Sequence, residues 1–249
     1  MGLIQKDRFV CFDCETTGLD PKTDEIIEIA AVLFTFEGIH MLKQDLIEPN
    51  CPIPKHTTEI HHITDEMVKG KPKIQEVLPA YLTLFSNHVL IGHGIPFDIA
   101  LIEAATRKFC IPSKLSASTY IDTLRLARLY GESPTNSLEM LRSHFNIQSH
   151  GAHRAMNDVY VNIEVFKRLS RPFKTTEEIL KRLEHPVQLK TMPLGKHKGR
   201  PFKEIPLEYL RWAIKQKFDK DLLFSLKKEM RKRKMGHSFN QASNPFSNL

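Results

Sequence analysis

At 249 residues with 41% hydrophobic content, the chain can bury one full core and leave about 80 residues for a second unit. No apolar stretch approaches the ~18–20 residues of a bilayer span, the N-terminus lacks an apolar signal region, and Lys6 stands where myristoylation favours Ser or Thr, so membrane, secreted and lipidated classes are set aside for a cytoplasmic protein. The net charge of +7 is uneven: residues 1–170 carry 17 Lys+Arg against 21 Asp+Glu (net −4), residues 171–235 carry 19 against 8 (net +11), and the remainder carries neither; a basic region beside an acidic one suggests a polyanionic partner, of which nucleic acid is the commonest.

In chain order, residues 9 to 13 read as a first strand, residues 26 to 34 as a long β-branched one, and residues 41 to 47 as a third after a turn at Gly38, together an antiparallel meander. Residues 49 to 73 form a Pro- and His-rich connection, and Ile74, Val77, Leu78, Leu82 and Phe85 then recur at helical spacing. A short buried strand over 89 to 92 leads through a turn into a helix from about 96 to 109, with Pro96 in its first turn and Asp98 near the positive end of its dipole. Residues 118 to 121 read as the last strand. Helices follow over 124 to 129, 137 to 144 and 152 to 169, the last with Val159, Ile163 and Phe166 on one stripe. Mixed strands and helices of this kind make an α/β domain over 1–170. Beyond it the composition predicts a linker over 171–187 with a short charged helix, a small, mostly helical basic module over 188–235, and a polar, disordered tail over 236–249.

Four cysteines (Cys11, Cys14, Cys51, Cys110) show no disulfide framework, and the Cys11/Cys14 pair flanks Asp13 with no second Cys or His pair nearby, which disfavours zinc and fits a reducing compartment. In a strand, residues i and i+2 share a face, so Asp13 and Glu15 project together from a buried edge. Two ionised carboxylates so placed repel unless a hard cation lies between them. Asp98, at a helix start after a strand expected beside the first, can face them across the carboxyl ends of the strands. His153 and Asp158 lie five residues apart, about 140° around a regular helix, so His153 belongs on the loop or frayed first turn, where a pKa near ~6.5 suits a base.

Four segments, Asp13-x-Glu15-Thr16-Thr17-Gly18, His93-x-x-x-Phe97-Asp98, Asp122-Thr123 and His153-Arg154-Ala155-x-x-Asp158, resemble in order and spacing the DEDDh family of 3′–5′ exonucleases, in the branch holding the proofreading subunits of bacterial DNA polymerase III. The likeness covers about residues 7 to 170. It implies an RNase H-like mixed five-stranded sheet flanked by helices, with Asp13, Glu15, Asp98 and Asp158 organising two Mg²⁺ (or Mn²⁺) ions and His153 taking the proton of the attacking water. It also implies that Thr16 and Thr17 hold the 3′-terminal nucleotide, with Phe97 near its sugar or base and Leu19 near the base. Gly94 stands where the family usually has Asn, and His62 where it commonly has Gly; His61 reads as a structural contact. The expected activity is metal-dependent 3′–5′ removal of nucleoside 5′-monophosphates from single-stranded DNA or frayed 3′ ends in proofreading or repair, with a DNA polymerase III core as a possible partner. RNA or oligonucleotide trimming and a non-catalytic nucleic-acid-binding polymerase subunit are the alternatives.

Residues 190 to 217 look like a small module sometimes fused to such exonucleases. Its glycine-bracketed Lys196, Lys198 and Arg200 are candidate phosphate contacts, with the run at 231–234 adding counterion release, while Tyr209 and Trp212 read as core. The tail around Gln241 to Phe246 faintly resembles peptides that dock in the bacterial sliding clamp.

Overall fold

The computed structural model describes residues 3–130, 135–148 and 154–242, with side chains through residue 234. Strands β1 (Phe9–Thr16), β2 (Ile26–Phe34) and β3 (Ile39–Leu46) precede helices α1 (Lys55–His61), α2 (Asp65–Val68) and α3 (Ile74–Phe85), then β4 (Val89–Gly92), α4 (Pro96–Lys108), β5 (Tyr120–Asp122), α5 (Thr123–Tyr130), α6 (Leu138–His144), α7 (Ala155–Leu169), α8 (Thr176–Glu184), α9 (Leu207–Ala213) and α10 (Lys220–Ala242). The sheet order is β3-β2-β1-β4-β5. The first three strands are antiparallel, while β4 runs parallel to both β1 and β5. The mixed five-stranded sheet expected from the sequence is therefore present.

Period-2 alternation on β1 sorts its side chains between two helical layers. Val10 and Phe12 join Leu78, Tyr81 and Phe85 of α3 and Leu101 and Ile102 of α4 in one core. On the other face the Phe9 ring meets Phe166 of α7 at 5.1 Å, and the Cys11 thiol points at the Val159 carbonyl. Asp13 and Glu15 continue that second face, so the parity of β1 aims them towards α7. Every residue of β2 is buried, whereas edge strand β3 exposes its first four residues and carries Lys43 in its second half, a charge that discourages further strand addition.

Three segments differ from the sequence reading. The connection over 49 to 73 contains α1 and α2, because Ile53, Ile63 and Val68 bury against Ile27 and Asp65 Oδ1 accepts from the Ile53 N–H (3.1 Å); short helices held by tertiary contacts carry little periodic signal. The stretch expected as a linker with a short charged helix has that helix as α8, and it packs into the first unit up to Arg182: Ile179 is fully buried, Ile4 N–H donates to Lys174 O (2.9 Å), and Thr176 Oγ1 donates to Asp7 Oδ2 (2.5 Å). Helix α10 runs to Ala242, beyond the point where the tail was expected, since no proline interrupts it before Pro245. The chain divides into two compact units, Met1–Leu126 with Ser137–Arg182, and Ala127–Asn136 with Leu183–Leu249.

His62 caps α1 in the left-handed region (φ 59°) and its N–H donates to Thr58 O (2.8 Å). A side chain there costs about 1 kcal/mol relative to glycine, so His62→Gly is expected to raise stability by roughly that amount in urea unfolding; a lower midpoint would contradict it.

Candidate active site

Asp13 and Glu15 occupy the last turn of pleat in β1, opposite Ala30 and Glu28 of β2. With Asp158 of α7 they form a group in which one carboxylate oxygen from each lies within 4.8 Å of the others. Asp98 of α4 lies beside this group, not within it. It is 6% exposed, and its Oδ1 accepts from the Cys14 N–H at 3.1 Å, which ties the start of α4 to the strand between Asp13 and Glu15. Asp98 also raises the proton affinity of Asp13 through its charge.

Pro96 at the N-terminus of α4 and the turn before it set this placement. Gly94 has φ +75°, and a Cβ there would meet nothing within 4 Å. Its N–H donates to Asp122 Oδ1 (2.9 Å), which also accepts from Leu124 N–H (3.0 Å), so one carboxylate holds this turn and the start of α5. Asn is the residue after glycine that best tolerates a left-handed backbone. Gly94→Asn is therefore expected to change stability by less than about 1 kcal/mol, as a melting experiment would show.

Asp158 lies in the first turn of α7, and the anchor of that turn is a residue the sequence reading passed over. Glu28, fully buried, accepts from Arg154 Nη2 (2.7 Å) and Nε (3.1 Å), from Ala155 N–H (3.0 Å) and from Gln44 Nε2 (2.8 Å). Burial works to raise its pKa, but the hydrogen bonds from Arg154, Gln44 and Ala155 outweigh it and hold Glu28 below the usual carboxylate range. The available signal was one acid in the middle of an otherwise apolar nine-residue strand.

In the neighbouring acids burial wins. Burial, then the charges of Asp98, Glu15 and Asp158, push Asp13 well above the ordinary range. Burial, then Asp158, Glu28 and Asp98, push Glu15 up to about 8. Burial raises Asp98 to about 7 against the pull of its backbone hydrogen bonds. Asp13, Glu15 and Asp158 clustered at one point, with Asp98 beside them and the proton favoured on Asp13, Glu15 and Asp98 unless positive charge arrives, fit a hard divalent cation with oxygen ligands. Among the described residues no other group of His, Cys, Asp or Glu has metal-holding geometry, and the four cysteines are free.

Because Glu15 rises from 4.5 to about 8 on folding, the folded protein holds a proton that the unfolded chain has already lost above pH 4.5. Its stability is thus full below about pH 4.5 and declines as pH climbs towards 8; Asp98, raised to about 7, acts in the same sense. In EDTA the melting temperature is expected to fall between pH 5 and pH 8.5, and saturating Mg²⁺ should cancel most of the fall. A metal-free melting temperature that rises across this range would contradict the placement of these acids.

The remaining predicted residues fall as follows. Thr16 Oγ1 donates to Gly18 O (2.6 Å), while Thr17 Oγ1 donates to Asp24 Oδ1 (3.0 Å) and accepts from Glu25 N–H (2.9 Å), so both hydroxyls brace the loop after β1. Leu19, on that loop, is 86% exposed. Phe97 packs half-buried on the core beside Asp98. His153 lies outside the described residues, as does Phe246; α7 begins at Ala155. Lys196, Lys198 and Arg200 are exposed residues of the second unit. His61, 2% exposed, accepts from Ile63 N–H through Nδ1 (3.0 Å) within the α1–α2 turn.

A mixed sheet in the order β3-β2-β1-β4-β5, with carboxylates converging from its central strand and two flanking helices, defines an RNase H-like nuclease fold. An exonuclease family model (RNase_T) matches residues 10–166. The chain belongs to this exonuclease family. It is 35% identical over 161 residues to DNA polymerase III subunit epsilon of Treponema pallidum (strain Nichols), covering 64% of this chain and 74% of that protein. It is 34% identical over 174 residues to the PolC-type DNA polymerase III of Clostridium perfringens (strain 13 / Type A), covering 70% of this chain but only 12% of that much longer protein. Among solved structures, exonuclease X in complex with 5′ overhanging duplex DNA aligns at a TM-score of 0.57 and 25% identity, over 70% of this chain and 98% of that one. A second family model, QSregVF_b, whose description names a quorum-sensing-regulated virulence factor, matches residues 177–234.

Proposed function

We propose that the chain is a divalent-metal-dependent 3′–5′ exonuclease that releases nucleoside 5′-monophosphates from single-stranded DNA or frayed 3′ ends. The observation that carries this reading is the acid cluster: one carboxylate oxygen each from Asp13, Glu15 and Asp158 within 4.8 Å of one another, with Asp98 bound to the same strand. These four residues would hold two Mg²⁺ or Mn²⁺ ions. Bound there, such ions supply the positive charge that lowers the pKa of an attacking water and stabilises the departing 3′ oxygen. His153, from its motif, is the proposed base that removes the water's proton. Thr16 and Thr17 would hold the 3′-terminal nucleotide, with Leu19 near the terminal base and Phe97 near its sugar or base.

DNA is preferred over RNA because the relatives named above are a DNA polymerase III epsilon subunit and a PolC-type DNA polymerase III. The same likeness supports a role in proofreading or repair and a polymerase III core as partner, for which co-purification with the polymerase subunit is the test. The free cysteines suit a reducing cytoplasm, and no described helix is long and apolar enough to cross a membrane. Digestion of 5′-labelled DNA and RNA strands of matched sequence in Mg²⁺ tests the main reading. Ladders shortening from the 3′ side on DNA are expected; internal cuts or shortening from the 5′ side would overturn it, and faster trimming of RNA would transfer the assignment to RNA.

A further inference from the structure

The second unit carries an exposed aromatic and a loop of exposed cations. Its core is closed by Leu189, Met192, Phe202, Ile205, Leu210 and Leu222 among others, and on α9 the buried positions are Leu210 and Ala213. Tyr209 and Trp212 lie on another face of that helix, three residues apart and hence neighbours. Their rings are 5.2 Å apart, and Tyr209 meets the His197 ring at 4.5 Å. His197 is 7% exposed, whereas Trp212 is 50% exposed, so the sequence expectation that Trp212 fills a core does not hold. The three rings form a ladder from a buried histidine to an open indole.

The loop carrying His197 is built onto this ladder. Gly195 (φ +73°) and Gly199 (φ +82°) turn it, and a Cβ at Gly195 would come within 3.0 Å of the Tyr209 hydroxyl. Gly199 N–H donates to Met192 O (2.8 Å) and Met192 N–H to Arg200 O (2.9 Å), closing the loop at its base. Lys196, Lys198 and Arg200 project into solvent from this braced turn. Two arginines of the unit are engaged in structure instead. Arg128 pairs with Asp219 and the fully buried Asp221 at 3.0 Å. Arg233, one of the four basic residues expected to meet phosphate, instead donates to the carbonyls of Ile205 (3.0 Å) and Phe202 (2.8 Å) and to Glu229 (2.8 Å).

From this geometry we infer that the Lys196–Arg200 loop and Trp212 form a binding surface for single-stranded DNA, the cations meeting phosphates and the indole stacking on a base. The partner follows from charge and shape: residues 171–235 carry 19 Lys+Arg against 8 Asp+Glu, and a basic surface with an open aromatic is how proteins hold single strands without reading sequence. The surface is independent of hydrolysis, so its failure would leave the acid cluster untouched.

The chain has a single tryptophan, so its own emission reports on the site. Full-length protein carrying Asp13→Asn, in EDTA to prevent cutting, is titrated with a labelled thymidine 12-mer, and anisotropy and tryptophan emission are followed together. Saturable quenching that tracks the anisotropy is expected. Trp212→Ala should weaken binding about 10-fold, with Trp212→Phe recovering much of it. Lys196→Ser with Lys198→Ser should lower the slope of log K against log[salt] by about 1.4. Binding by anisotropy with tryptophan emission unmoved would assign this face to some other partner and overturn the inference, as would an unchanged salt slope in the double variant.

Discussion

Replacing Asp13 by Asn is expected to lower the rate of nucleotide release by about 10³-fold or more, roughly 4 kcal/mol of transition-state stabilisation, while making the metal-free protein more stable at pH 8. The two effects share one cause. Asp13 is pushed well above the ordinary carboxylate range by burial and by Asp98, Glu15 and Asp158, so the folded protein keeps this charge only under strain, and an amide relieves it. The same amide is a poor ligand for a hard cation and removes the need for one. Single-turnover digestion of a labelled strand and melting curves in EDTA measure the two quantities. Activity within tenfold of the parent, or a melting temperature that falls at pH 8, would show that Asp13 is not an uncompensated member of a metal site. His153→Ala should lower the rate without the gain in metal-free stability, which separates a base from a ligand.

The second large effect is expected at Glu28. Its carboxylate is fully buried and joins β2 to Arg154 and to the first backbone N–H of α7. Glu28→Ala leaves that buried N–H without its acceptor and frees the guanidinium, one-third exposed, and the Gln44 amide to meet water; an orphaned buried donor costs about 1–3 kcal/mol. Activity should fall as well, because Asp158 takes its aim from the turn that Glu28 holds. Glu28→Gln keeps an acceptor and the volume but removes the charge, so it should cost less stability than Ala while still weakening Mn²⁺ binding, as calorimetry on the folded protein would show. Should Glu28→Ala melt and cut like the parent, the start of α7 must be held by something else.

Glu15 and Glu28 face each other across β1 and β2, yet they titrate in opposite directions. Both are glutamates on buried strands. What separates them is Arg154, whose Nε and Nη2 both donate to Glu28. One acid is neutralised by the protein and the other awaits an external cation, and this difference distinguishes a structural carboxylate from a ligand.

Taken alone, the amino-acid sequence determined what is local and periodic. Two acids at i and i+2 after Phe9-Val10-Cys11-Phe12 had to share a strand face, Pro96 had to open a helix with Asp98 in its first turn, and the alternation of strand and helix patterns identified an α/β sheet. Such features depend on backbone geometry over a few residues, so any reader of the chain can recover them. Only the tertiary structure decided which acid is compensated, because Glu28 and Arg154 are 126 positions apart. It alone decided that Ile179 ties residues up to Arg182 into the first unit, that Thr16 and Thr17 brace a loop, and that Trp212 stays open while Leu210 is buried. Burial and charge pairing are set by which distant segments meet, and no repeat along the chain encodes those meetings.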